Sequence, residues 1–176
     1  AHPCYVGAIG VTGSNAANNL AQQADVVLAI GTRLQDFTTG SRTLFANTTL
    51  LQLNVSRFDA IKHSALSLLG DAKLGIMQLD KHLSTWKAPR SWFDLGQKEI
   101  AKWNSYYDQI TSISDLSNTE NILPTDAQVL GEVKRHGTVS DIVLCAAGSL
   151  PGELHKLWRT EQVGGYHAEY GFSCMG

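Results

Sequence analysis

Short apolar runs alternate with helix-like segments in the first half of the chain, and this alternation is what most constrains the fold. The runs DVVLAIG (25–31), TLLQLNV (49–55) and SALSLLG (64–70) have the length and composition of strands. Amphipathic segments at 15–24 and 71–83 predict helices. Strands separated by helices pair in parallel, with helices packed on both faces of the sheet. We therefore predict an α/β fold with a Rossmann-like parallel sheet whose strands are buried.

A second α/β unit follows a change in composition at 84–91. Residues 91–112 place aromatic and aliphatic side chains at helical spacing, which predicts a bridging helix, and a polar linker comes after it. Thr125 is a suitable N-cap for a helix that ends at Gly137. The apolar run SDIVLCAAG (140–148) then predicts a fully buried strand. We expect two α/β pieces joined by a linker.

Composition and charge argue against several classes of function. Hydrophobic residues make up 43% of the 176 residues and charged residues 17%, which is enough apolar material for a core. The net charge of −2, without a basic run, argues against binding to nucleic acid or to an anionic membrane. No apolar run reaches the roughly 20 residues of a membrane span. Three widely spaced cysteines indicate neither a disulfide framework nor a metal site, and we expect a cytoplasmic protein.

Two loops of the first unit are candidate anion sites. The stretch GAIGVTG (7–13) has a glycine at every third position before a helix, where backbone N–H groups can approach a phosphate. The stretch GTRLQDFTTG (31–40) follows a strand, and there Arg33 could hold an anion that Asp36 orients. Both sites have a structural alternative. The glycines could serve only to turn the chain, and the Arg–Asp pair could serve only to fix a loop.

A third candidate site joins two segments near the end of the chain. A strand delivers Gly148 and Ser149 to a sheet edge just before a short helix, an arrangement that suits diphosphate oxygens. His167 and Glu169 are two residues apart and could share a face, where such a pair can perform acid–base chemistry near neutral pH. An ordinary strand-to-helix turn and a structural His–Glu pair are the alternatives.

The same residues give the chain a family resemblance. The stretch AANNLAQQADVVLAIGTRLQDFTTG and the later GDAKLGIMQL resemble the central domain of thiamine-diphosphate enzymes of the acetohydroxyacid synthase and pyruvate oxidase type. The strings CAAGSLPGELHKLW and GGYHAEYGFSCMG resemble the start of their diphosphate-binding domain. Within the family they are most similar to hydrolases that open the ring of a cyclic dione in inositol catabolism. The resemblance implies that 1–86 is part of a central domain, 87–124 a bridging helix and linker, and 125–176 the N-terminal part of a diphosphate-binding domain.

The resemblance also implies residue roles. Gly148, Ser149 and the backbone of Leu150 fall where the family contacts the diphosphate of the cofactor. The carbonyl of Ser173 would accept the aminopyrimidine amine, and Met175 would lie beneath the bent cofactor. His167 and Glu169 would lie near the substrate, without an assigned role.

The resemblance further implies a cofactor, partners and a reaction. The cofactor would be thiamine diphosphate with magnesium, whose ligands and the activating glutamate are expected outside these residues. Flavin is not expected, because the acidic residues of flavin-binding relatives are replaced by LNVS (53–56). The parent enzyme would be a homo-oligomer, with its cofactor at a subunit interface, that converts a polyol-derived dione to 5-deoxy-glucuronic acid. The chain would then be a fragment without activity of its own.

Two alternatives stay open. One is another thiamine-diphosphate enzyme, either an acetohydroxyacid synthase or a decarboxylase. The other is a non-catalytic nucleotide-binding module, in which the ligand would contact residues 7–40 rather than residues 148–176.

Overall fold

The computed structural model describes residues 2–113 and 123–169, which form two small parallel sheets with helices packed around them. The helices and strands are, in chain order, α1 (Asn15–Gln23), β1 (Val26–Ile30), α2 (Asp36–Thr39), β2 (Thr49–Asn54), α3 (Arg57–Ala60), β3 (Leu66–Leu69), α4 (Ala72–His82), α5 (Arg90–Thr111), α6 (Asp126–His136), β4 (Val143–Cys145), α7 (Ser149–Leu157) and β5 (Tyr166–Ala168). Two single 3-10 turns precede β2 and β3. The predicted α/β fold is confirmed.

The first sheet has the strand order β1-β2-β3, and all its strands run parallel. Val27 pairs with Leu50 and Ala29 pairs with Gln52, so these side chains share one face. On that face Ala29, Leu50 and the following loop residue Leu34 form a buried apolar cluster. Burial of this face contributes to the stability of the first unit.

The opposite face of the first sheet is only partly covered. Val26, Leu28 and Ile30 lie on it with 55%, 41% and 38% of their surfaces exposed. Helix α4 packs there against the middle strand, where Gly75 lies close to the side chain of Leu53. One helix is about as wide as two strands, so it leaves the outer strand uncovered. The prediction that helices bury both faces is therefore wrong for the described residues.

Helix α5 connects the two units, as the aromatic-rich segment predicted. At one side it packs against α1, where Asn19 Nδ2 donates to Glu99 Oε2 over 2.9 Å. At the other side Trp103 and Tyr107 pack against a buried cluster formed by Leu130 of α6 and by Leu154 and Leu157 of α7. None of the helices in the described residues is long and apolar enough to cross a membrane. The division into three ranges stays a prediction.

The second unit begins at a well-capped helix and contains a short two-stranded sheet. Thr125 and Gln128 form a reciprocal capping box at the start of α6, which confirms the predicted N-cap. Strand β4 covers only three residues of the predicted 140–148 and pairs in parallel with β5. Leu144 is 77% exposed, so the prediction of a fully buried strand is wrong. The reason is that α6 and α7 pack on α5 through their own apolar faces, which leaves the Leu144 side of β4 open.

Candidate functional site

The glycine-rich loop at residues 7–13 is closed by contacts within the protein. Asn18 accepts the N–H of Gly10 over 2.8 Å and donates to its carbonyl over 2.9 Å. The N–H of Val11 donates to the carbonyl of Phe37. A Cβ added to Gly10 would lie 2.0 Å from that same carbonyl oxygen. The glycines therefore allow one backbone to pass another, which favours the structural interpretation of this loop over an anion site.

The second candidate loop is fixed through its carbonyl groups. Gln52 and Asn54 both donate to the carbonyl of Thr32, over 2.7 and 2.9 Å. Lys62 donates to the carbonyl of Arg33, and the ring of His63 lies 2.9 Å from the next carbonyl. These contacts hold the loop after β1 against the end of β2 and the loop before β3. Within the described residues no ion pair joins Arg33 to Asp36, so the proposed pairing of these two side chains has no contact to support it.

The third candidate site lies where β4 turns into α7. Gly148 occupies the N-cap position with φ 138° and ψ −173°, a conformation open essentially to glycine alone. It has no side chain to cap the helix, so no side-chain cap accepts the N–H groups of Ser149 and Leu150. Ser149 and Leu150 form that first turn, and both are exposed. Sequence reasoning named all three of these residues.

Strand β5 brings the second segment of the predicted site to the same sheet edge. Cys145 pairs with Ala168, and the N–H of Glu169 donates to the carbonyl of Cys145 over 2.9 Å. The carboxyl ends of the two strands therefore lie side by side, a pairing that the sequence had not specified. Ser173 and Met175 lie outside the described residues.

His167 and Glu169 follow each other along the end of β5. The ring Nε2 of His167 lies 2.8 Å from the carbonyl oxygen of Gly164, so this side chain is engaged with the turn before its own strand. His167 pairs with Leu144, which places its side chain on the exposed face of the sheet. This contact agrees with a structural use of the histidine. The catalytic roles of His167 and Glu169 stay predictions.

The turn at Gly148 fits one end of a diphosphate group. Such a group carries several anionic oxygens, which a helix N-terminus stabilises through its N–H donors and its dipole. The glycine leaves the helix start uncapped, and the small Ser149 follows it. The described residues contain no group of three His, Cys, Asp or Glu side chains that could hold a metal ion.

Sequence reasoning missed a contact between the two units. His155 of α7 lies with its ring Nδ1 3.0 Å from the hydroxyl oxygen of Thr12 and 3.1 Å from the carbonyl oxygen of the same residue. The two residues are 143 positions apart. No local pattern signals such a pair.

The α/β fold of the first unit agrees with what the chain is similar to. Residues 1–79 match the family described as thiamine pyrophosphate enzyme, central domain. The resemblance predicted from the sequence is thus confirmed.

Particular relatives are similar over 99% of the chain, and all are named 3D-(3,5/4)-trihydroxycyclohexane-1,2-dione hydrolase. The protein of Clostridium perfringens (strain ATCC 13124) is 36% identical over 197 residues. The proteins of Geobacillus thermodenitrificans (strain NG80-2) and Clostridium botulinum (strain Alaska E43) are each 34% identical, over 193 and 194 residues. The chain spans 30% of the length of each of these relatives.

Proposed function

We propose that this chain is part of a thiamine-diphosphate-dependent hydrolase that opens the ring of trihydroxycyclohexane-1,2-dione to give 5-deoxy-glucuronic acid. One observation carries the proposal. The similarity to hydrolases of that name extends over 99% of the chain, so it includes the turn at Gly148 as well as residues 1–79, which match the central-domain family. The place of the reaction in inositol catabolism and a cytoplasmic location belong to the same proposal.

In this proposal the turn at Gly148 binds the diphosphate end of the cofactor. The backbone N–H groups of Ser149 and Leu150 donate to its oxygens, and the dipole of α7 favours their negative charge. When bound, thiamine diphosphate would supply a nucleophilic ring carbon and an electron sink for C–C cleavage. Ser173 and Met175 keep their proposed contacts with the aminopyrimidine on the strength of the resemblance.

Other parts of the site are proposed to come from outside the chain. Magnesium would neutralise the diphosphate, with ligands from other residues of the parent enzyme. The parent is proposed to be a homo-oligomer whose cofactor lies at a subunit interface, and the chain alone to be inactive. The central domain would serve as scaffold, because its glycine-rich loop is engaged with Asn18 and Phe37 rather than open to a nucleotide.

The test uses the full-length protein that contains this chain. It is freed of cofactor by dialysis and then supplied with the dione, with or without thiamine diphosphate and magnesium. We expect consumption of the dione only when both are present, with a product heavier than the substrate by one water. Pyruvate is offered in parallel. Condensation or decarboxylation of pyruvate, with no reaction of the dione, would show a different thiamine-diphosphate enzyme and contradict the proposed substrate.

A further inference from the structure

Within the described residues, helix α7 of the second unit makes a polar contact with Thr12 of the first unit. The Nδ1 atom of His155 lies within hydrogen-bond distance of both the hydroxyl and the carbonyl oxygen of Thr12. Either tautomer of the ring makes one bond here, since an unprotonated Nδ1 accepts from the hydroxyl and a protonated Nδ1 donates to the carbonyl. The contact is therefore satisfied in both forms of the neutral ring.

The same face of α7 is shaped to receive Thr12. Gly152 precedes His155 by three residues, which places both on one side of the helix. A Cβ added to Gly152 would lie 3.3 Å from the methyl carbon of Thr12, tighter than an ordinary contact. The absence of a side chain at Gly152 thus lets the threonine approach the helix closely enough for the histidine to reach it.

Thr12 is held in a stiff turn. Its neighbour Gly13 donates to the carbonyl of Gly10, and Asn18 holds both backbone groups of Gly10. A Cβ on Gly13 would lie 2.5 Å from the carbonyl oxygen of Ala8, so the turn is tightly closed. A residue at the tip of a closed turn can hold a helix in place, whereas one on an open loop would follow its movement.

We propose that Thr12 and His155 are positioning residues, which hold α7 so that the N–H groups of its first turn face the diphosphate of the cofactor. The proposal rests on the proposed function. His155 is not proposed to contact the diphosphate, because it lies seven residues, about 10 Å, along the helix from Gly148. It acts through the helix, because fixing α7 at His155 also fixes the positions of Gly148, Ser149 and Leu150 at its start.

The test compares three variants of His155 in the full-length protein. Asparagine carries a polar atom at the position of Nδ1, whereas glutamine carries it at the position of Nε2. We expect His155→Ala and His155→Gln to raise the Kd for thiamine diphosphate about tenfold, the equivalent of one lost hydrogen bond. We expect His155→Asn to bind within about twofold of the wild type. His136→Ala is the matched control, since this histidine is exposed on α6, and its Kd should not change.

A second measurement needs no cofactor. Hydrogen exchange of the amides at the start of α7 should be faster in His155→Ala and His155→Gln than in the wild type and in His155→Asn. Equal exchange and equal Kd in all variants would overturn the proposal, as would an asparagine variant as weak as the alanine variant. A wild-type protein that exchanges as expected but binds no thiamine diphosphate would overturn the proposed function while leaving the contact itself established.

Discussion

Replacement of Gly148 by alanine tests the turn on which the proposed cofactor site depends. The residue has φ 138° and ψ −173°, a region that side-chain-bearing residues almost never occupy. A Cβ there would meet only Pro151, at 3.6 Å, which is ordinary van der Waals contact. Crowding therefore contributes little, and the effect of the substitution comes from the backbone conformation. We expect a loss of about 1–3 kcal/mol in the free energy of unfolding if the turn is kept.

The chain can also relieve this strain by opening the turn. In that case the N–H groups of Ser149 and Leu150 move away from the diphosphate position, and the loss appears in binding. One or two lost hydrogen bonds to a charged group correspond to about a tenfold to a hundredfold rise in the Kd for thiamine diphosphate. We therefore expect Gly148→Ala to reduce stability, cofactor affinity or both, and never to leave both unchanged.

Urea denaturation followed by tryptophan fluorescence measures the free energy of unfolding. Titration calorimetry of the full-length protein measures the Kd for thiamine diphosphate. Gly70→Ala is the matched control, because a Cβ there meets nothing within 4 Å and its φ is not in the positive region. That control should stay within about 0.5 kcal/mol of the wild type. If Gly148→Ala matched Gly70→Ala in both measurements, the turn described here would not exist in solution, and the diphosphate assignment would fall with it.

Three further predictions concern helix α5 and its contact with α6. Gly131→Ala should lower the free energy of unfolding by about 1–2 kcal/mol, because its Cβ would lie 2.3 Å from the carbonyl oxygen of Thr111 and overpacking outweighs the gain in helix propensity. Gly96→Ala should instead raise the free energy of unfolding by about 0.5–1 kcal/mol, because the nearest atom to its Cβ is 3.8 Å away. If urea denaturation showed both substitutions to change stability in the same direction, the close contact of Gly131 with α5 would be contradicted. The hydrogen bond from Lys102 lowers the pKa of Glu99 below its usual 4.5. The ionised carboxylate therefore stabilises the fold above pH 4.5, and this stabilisation is lost as the pH falls through the lowered pKa. Glu99→Gln should therefore be less stable than the wild type at pH 7 and approach it in acid, whereas a difference that persists in acid would contradict the ion-pair account.

The helices were predictable because their start signals are local. Asp71 accepts the N–H of Leu74 over 3.0 Å at the start of α4, and Thr125 forms its capping box with Gln128. Each cap needs only residues within one turn of each other, so the sequence contains the whole interaction. The same holds for the order of strands and helices in the first unit, where the apolar runs are short and clearly separated.

Burial was not predictable in the same way. A run such as VVLAI is apolar on both sides of the strand, which is typical of a sheet covered on both faces. Ala29 is buried as expected, but Val26 and Leu28 on the other face are not. The apolar composition of a strand allows both of its faces to be buried. Whether they are buried depends on which other elements pack against the strand. Those elements come from distant parts of a chain, and no spacing within the strand specifies them.

The glycine-rich turn before α1 and the glycine turn before α7 differ in a feature that can be read from the local sequence, the N-cap residue. Both precede a helix, and both were interpreted as candidate phosphate sites. At the first, Ser14 occupies the N-cap and its hydroxyl accepts the N–H of Ala17, so the protein satisfies its own helix start. At the second, Gly148 occupies the N-cap and offers no such acceptor. The serine cap uses the N–H of Ala17, and Pro151 at the equivalent position of α7 has no N–H, so the first two N–H groups remain at each helix start. The two starts differ in the space in front of those groups, because the Ser14 hydroxyl lies there at the first and Gly148 has no side chain there at the second. The identity of the N-cap residue, rather than the number of glycines before it, is therefore the feature that separates the structural turn from the candidate diphosphate site.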